Sequence, residues 1–95
     1  MVFEWDDAKS LRNLQERRLP FELAIALFEG PTLEIEDGRR DYGEVRIRTV
    51  GSVRNLILVC VYTGRQTPSG AVRRIISLRL AARKERDGYR ATYPR

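Results

Sequence analysis

Asn55-Leu56-Ile57-Leu58-Val59-Cys60-Val61-Tyr62-Thr63 is the stretch on which the fold turns. No polar residue interrupts it between Leu56 and Val61. A membrane span needs about 20 apolar residues, so the run is far too short for one. It also lacks the alternation that marks a strand with one wet face. It therefore reads as the central strand of a sheet, covered on both faces.

Outward from it the pattern has a period of two on both sides. Upstream, Val45, Ile47 and Thr49 alternate with Glu44, Arg46 and Arg48, a strand ended by the turn Gly51-Ser52. Before that, Leu33 and Ile35 alternate with Glu34 and Glu36, and Asp37-Gly38 opens a polar loop. Downstream, residues 64–70 with Pro68 read as a hairpin loop, and Val72 to Leu78 as the last strand. Every connection is short, which predicts an antiparallel meander of about four strands.

Towards the N-terminus the period becomes helical. Asp6 and Asp7 are N-cap candidates for a helix to about Glu16, with Ala8, Leu11 and Leu14 on one face. Arg17-Arg18-Leu19-Pro20 breaks it. Phe21, Ala24, Ile25 and Phe28 then fall at i, i+3, i+4 and i+7, a buried stripe on a second helix that Gly30-Pro31 ends. A last helix runs from Leu80 or Ala81 to Tyr89. The expectation is an α+β fold: two N-terminal helices, the meander, then a C-terminal helix, with helices on one face. Residues 1–95 make a single domain, because two cores would each be too small.

The net charge of +5 conceals an asymmetry. Residues 1–48 carry 8 basic and 11 acidic groups, whereas residues 49–95 carry 10 basic and 2 acidic ones. Of the basic residues, all but Lys9 and Lys84 are arginine. Arginine grips phosphate with a planar fork and stacks on bases, so the C-terminal half reads as a surface for nucleic acid. A genomic codon bias would favour arginine over lysine too, but would not crowd it into one half. Arg79, Arg83, Arg86 and Arg90 fall at i, i+4, i+7 and i+11, a cationic stripe if the last helix begins near Arg79. Arg65, Arg73 and Arg74 add to it, and Tyr62, Tyr89 and Tyr93 lie near enough in sequence to stack on unpaired bases.

The chain has no histidine, which removes the commonest general base, the histidine-dependent nucleophile systems and most zinc sites. Glu34 and Glu36 read as a solvated strand face, so neither metal nor cofactor is expected. The lone Cys60 reads as a small buried hydrophobe. The acidic N-terminus is unlike a secretory signal, and a single cysteine fits the cytoplasm. Glu44 and Arg46 have two readings, a surface ion pair or a carboxylate base beside a phosphate clamp. RNA carries its own nucleophile, the 2′-hydroxyl, so arginines and one base suffice to orient it, take its proton and stabilise the phosphorane.

Several segments, in order, resemble the BrnT toxins. They are Phe3-Glu4-Trp5-Asp6, Lys9, Asn13, Phe21-Glu22 and Ala24; then Asp41-Tyr42-Gly43-Glu44 and Arg46; then Val61-Tyr62-Thr63 and Arg65; and finally Arg74-Ile75-Ile76-Ser77, Arg79, Ala81, Glu85 and Tyr89. The resemblance implies a RelE-like, metal-independent endoribonuclease, the toxin of a type II toxin–antitoxin pair. It implies a BrnA-type antitoxin as partner, and oligomers only through that complex. On this reading Glu44 is the general base, and Arg46, Arg65, Arg74 and Arg79 bind the phosphate. Lys9, Tyr62, Ser77, Arg83 and Tyr89 contact RNA, with Lys9 also a candidate proton donor. The alternative is an RNA- or antitoxin-binding module of the same fold with weakened or no catalysis.

Three positions depart from the family pattern. Glu16-Arg17-Arg18 replaces a Lys-His-Gly turn, Gly64 replaces an acidic residue before Arg65, and Ala82 replaces the threonine of a capping box ahead of Glu85.

Overall fold

The computed structural model describes residues 1–38 and 43–94. Its elements in chain order are β1 (Val2–Glu4), α1 (Asp7–Arg17), α2 (Leu23–Leu27), β2 (Thr32–Glu36), β3 (Ile47–Val53), β4 (Leu56–Thr67), β5 (Gly70–Leu80) and α3 (Arg83–Thr92). The sheet order is β1-β5-β4-β3-β2. β2 to β5 form the expected antiparallel meander, with β4 at its centre.

Two features correct the expected architecture. The chain begins with a strand rather than a helix, and β1 pairs parallel with β5, so the sheet has five strands and is mixed. Three residues are too few to carry a period; β1 is a strand because β5 offers an open edge, not because of its own sequence. The helices also lie on both faces. Leu58, Cys60 and Tyr62 of β4 pack under α1 and α2 with Leu19, Phe21, Ala24 and Leu27. Ile57 and Val59 point the other way and pack with Val50, Ala81 and Tyr89 of α3. An apolar run covered on both faces needs two covers, and α3 is the second.

Local chemistry sets the element ends. Asp6 accepts from the N–H groups of Ala8 (2.9 Å) and Lys9 (3.2 Å), the predicted N-cap of α1. α1 buries Ser10 rather than its apolar stripe: Leu11 and Leu14 are exposed. The Ser10 hydroxyl accepts the Phe21 N–H at 3.0 Å, and the Asn13 amide donates to the carbonyls of Leu19 and Leu78. Polar tethers thus fix α1 to β5. On α2 the buried positions are Ala24 and Leu27, while Ile25 is exposed.

The expected turn at Gly51-Ser52 is instead strand; β3 continues to Val53 and turns at Arg54-Asn55, with Arg54 at φ 57°. Gly51 is needed where α2 crosses β3, since a Cβ there would lie 2.8 Å from Leu27 Cγ. The expected loop over residues 64–70 shrinks to a turn at Pro68-Ser69, because β4 runs on to Thr67 and β5 starts at Gly70. α3 begins at Arg83, so Arg79 belongs to β5 and the four-arginine helical stripe does not form. No described helix is long and apolar enough to cross a membrane.

Candidate functional site

Strand register decides which arginines meet. In one cross-strand row Arg48, Val61 and Ser77 lie side by side on β3, β4 and β5; in the next, Val50, Val59 and Arg79 do. A third row holds Thr63, Arg74 and Glu4 on β4, β5 and β1. Paired residues of neighbouring strands share a face, here the face that carries α3. Arg74 and Arg79 are five positions apart, an odd number that would put them on opposite faces of a regular strand. A register shift opposite Val61/Tyr62 leaves Ile76 as the extra residue of a β-bulge. The bulge restores parity, and Arg74, Ser77 and Arg79 share one face.

On that face two carboxylates each hold two arginines. Glu4 takes Arg65 in a bidentate fork, 2.6 Å from Nε and 2.8 Å from a terminal nitrogen, with Arg74 at 3.6 Å. Glu85 takes Arg79 in a second fork at 2.8 and 2.9 Å, with Arg48 at 3.8 Å. Glu85 also accepts the Ala82 N–H at 2.7 Å. Alanine has no side-chain oxygen to return the bond, so half of the capping box survives at the start of α3. Hydrogen bonding from Arg79, with Ala82 and Arg48 assisting, holds the Glu85 carboxyl down to about 2, against the opposing effect of burial. The Arg65 fork likewise lowers the Glu4 carboxyl below its ordinary value.

Glu44 precedes β3 instead of lying on it, and its carboxylate is 3.4 Å from Arg46 Nε. Thr63, in the row beside Arg74, donates to the Val45 carbonyl at 2.8 Å and ties this segment to the sheet. Asp41 and Tyr42, part of the family-like segment, lie outside the described residues.

Of the positions picked from sequence, Arg65, Arg74, Ser77 and Arg79 share the α3 face. Arg83 is exposed in the first turn of α3. The others sit elsewhere. Lys9 lies on α1 beside Arg12 and Glu16, across the sheet. Tyr62 is buried on the α1–α2 face; its hydroxyl donates to Glu34 at 3.1 Å, and burial raises its phenol above the ordinary range. Its ring packs edge-on against Phe28, and Arg73 lies over both rings. Tyr89 is buried under α3, its hydroxyl donating to the Pro31 carbonyl at 2.8 Å. Sequence reasoning missed Arg48, Glu4 and the second role of Glu85. The alternation that made Arg48 a polar-face residue beside Arg46 was a usable signal for the first; nothing local marked the other two.

Arg17, in the turn where the family pattern has histidine, lies 3.5 Å from Asn13 and donates to the Leu78 carbonyl at 3.4 Å, away from this face. Cys60 is fully buried and its thiol is pushed up to about 12 by burial, leaving no thiolate for chemistry. Among the described residues no three histidine, cysteine or acidic side chains gather as metal ligands.

The sequence model of the family described as "ribonuclease toxin, BrnT, of type II toxin-antitoxin system" matches residues 5–85. The chain belongs to the BrnT family. No individual curated protein matches it at a significant level. BrnT membership makes it a ribonuclease toxin with RNA as substrate and an antitoxin as partner. The matched span runs from Trp5 to Glu85 and so includes Arg48, Arg65, Arg74, Arg79 and Glu85 of the arginine face.

Proposed function

We propose that the α3 face of the sheet cleaves RNA without a metal, by attack of the 2′-hydroxyl on the adjacent phosphodiester. Glu44 takes the hydroxyl proton. Arg46, Arg65, Arg74 and Arg79 bind the phosphate and stabilise the charge of the phosphorane, and Arg48 joins them. Ser77 and Arg83 extend the surface towards the flanking strand. The observation that carries this reading is that register and bulge place Arg48, Arg65, Arg74 and Arg79 on one face. Glu4 and Glu85 are spoken for by arginines and held as poor bases. Glu44 also has an arginine partner, Arg46 at 3.4 Å, but its side chain is 43% exposed, and this more accessible carboxylate is the one assigned the proton transfer. The partner on this reading is a BrnA-type antitoxin, and an acidic segment of it competes with RNA for the same arginines.

The test is cleavage of RNA by the purified chain in EDTA. Glu44→Ala should lower the rate by about a hundredfold or more. Folded protein that does not cut, or cutting unchanged in Glu44→Ala and Arg79→Ala, would overturn the mechanism. A second reading, RNA or antitoxin binding without turnover, draws on one specific observation: Arg17, which stands where the family has histidine, bonds the Leu78 carbonyl and lies away from the arginine face. Salt-sensitive RNA binding without product would favour it.

A further inference from the structure

Along β3 the residues facing α3 are Arg48, Val50 and Ser52. Val50 lies under Tyr89, and Arg48 reaches Glu85 on the side of the arginine face. Ser52 lines a cleft of about 840 Å³ with Arg90 and Tyr93, at the C-terminal end of α3. That size is ample for a small organic ligand. Arg54, Asn55 and Pro31 also line it.

Three features give the cleft a chemistry. Its guanidiniums are uncommitted: Arg54 and Arg90 make no ion pair or side-chain hydrogen bond among the described residues, whereas Arg48, Arg65, Arg74 and Arg79 all have carboxylate partners. Its aromatic wall is rigid. The Tyr93 hydroxyl donates to the Thr32 carbonyl at 2.8 Å, and its ring leans on Tyr89 with centroids 5.2 Å apart. With the hydroxyl tied down, the ring itself is what remains to face a ligand. Finally, the Asn55 amide, equally unpartnered, offers a donor and an acceptor together. A flat wall, an amide and two free arginines match a base, its edge and a phosphate.

We propose that this cleft holds one nucleotide of the RNA strand outside the cleaved linkage, its base against Tyr93 and its phosphate on Arg54 and Arg90. The choice of ligand rests on the RNA-cleavage reading. An acidic peptide would satisfy the arginines and the amide but leave the flat wall unused.

Adenosine 5′-monophosphate titrated in EDTA against the ¹⁵N-labelled chain should shift the amides of Ser52, Asn55 and Tyr93. Affinity should fall about tenfold in Arg54→Asn and about tenfold again when Arg90→Gln is added; asparagine tolerates the left-handed backbone at residue 54. Tyr93→Phe should keep the site and Tyr93→Ala lose it. Shifts that avoid the cleft, or persist in the double variant, overturn the proposal. So does a double variant that loses antitoxin while nucleotide binding is unchanged, which would make the cleft a protein-docking surface. Shifts confined to Arg48, Ser77 and Arg79 would sink the subsite and leave the cleavage reading standing. Cleft shifts in a chain whose cutting survives Glu44→Ala and Arg79→Ala would do the reverse.

Discussion

The two arginine clamps on the α3 face use the same chemistry in different surroundings. Both place one carboxylate between two guanidiniums, one of them bidentate. The side chain of Glu85 is 15% exposed and that of its forked partner Arg79 33%, whereas Glu4 is 28% and Arg65 51% exposed. Glu85 also holds a backbone N–H at the start of a helix, while Glu4 sits on a three-residue edge strand. An ion pair in water contributes little, since solvent screens it and both side chains lose entropy. The same pair with a backbone donor and less water becomes part of the frame. The difference teaches that the Arg79–Glu85–Arg48 clamp is the more enclosed element of the face and the Arg65–Glu4–Arg74 clamp the more exposed one, from which, on the proposed mechanism, phosphate displaces the carboxylate.

The largest effect that tests this contrast is on cleavage. Arg79→Ala should lower kcat/KM about a hundredfold, the usual loss for one preorganised donor to transition-state charge. Arg65→Ala, whose charge is half in solvent, should lower it only about tenfold. Equal losses in single-turnover assays would erase the distinction.

Stability gives the next largest effect. Glu85→Ala removes a helix-cap bond and orphans Arg79, and should cost about 1–2 kcal/mol in urea unfolding. Glu4→Ala should leave the midpoint unchanged. The acid limb gives the same contrast. The Glu85 carboxyl is lowered on folding from 4.5 to about 2. Its stabilisation is therefore fully present above pH 4.5 and is lost as pH falls towards 2. Glu85→Gln should flatten that part of the stability profile; a steep limb that survives the change would assign it to other groups.

The smallest effect is the one that most sharpens the comparison. Glu4→Gln frees Arg65 and Arg74, and should tighten binding of a non-cleavable RNA by a few-fold at low salt. Unchanged or weaker binding would mean that Glu4 positions the two arginines rather than competing with phosphate.

Much of this was legible beforehand. The unbroken run from Leu56 to Val61 marked the central strand, and the alternation around it marked the meander. Asp6 announced the start of α1. Leu11 and Leu14 have helical spacing yet stay exposed, because Ser10 and Asn13 anchor α1 by hydrogen bonds that no hydrophobic period reveals. The covering of both faces was implied by Ile57 and Val59 alternating with Leu58 and Cys60, but nothing local says which helix covers which side.

By itself, then, the sequence determined the order and type of most elements, the arginine-rich half and the family, because periodicity, caps and motifs are properties of neighbours along the chain. Tertiary structure alone decided which arginines meet. A strand's side chains alternate, so a one-residue slip exchanges its faces. The bulge at Ile76, invisible in any local pattern, puts Arg74 and Arg79 on one face. The parallel pairing of β1 with β5 brings Glu4 to Arg65, 61 residues away.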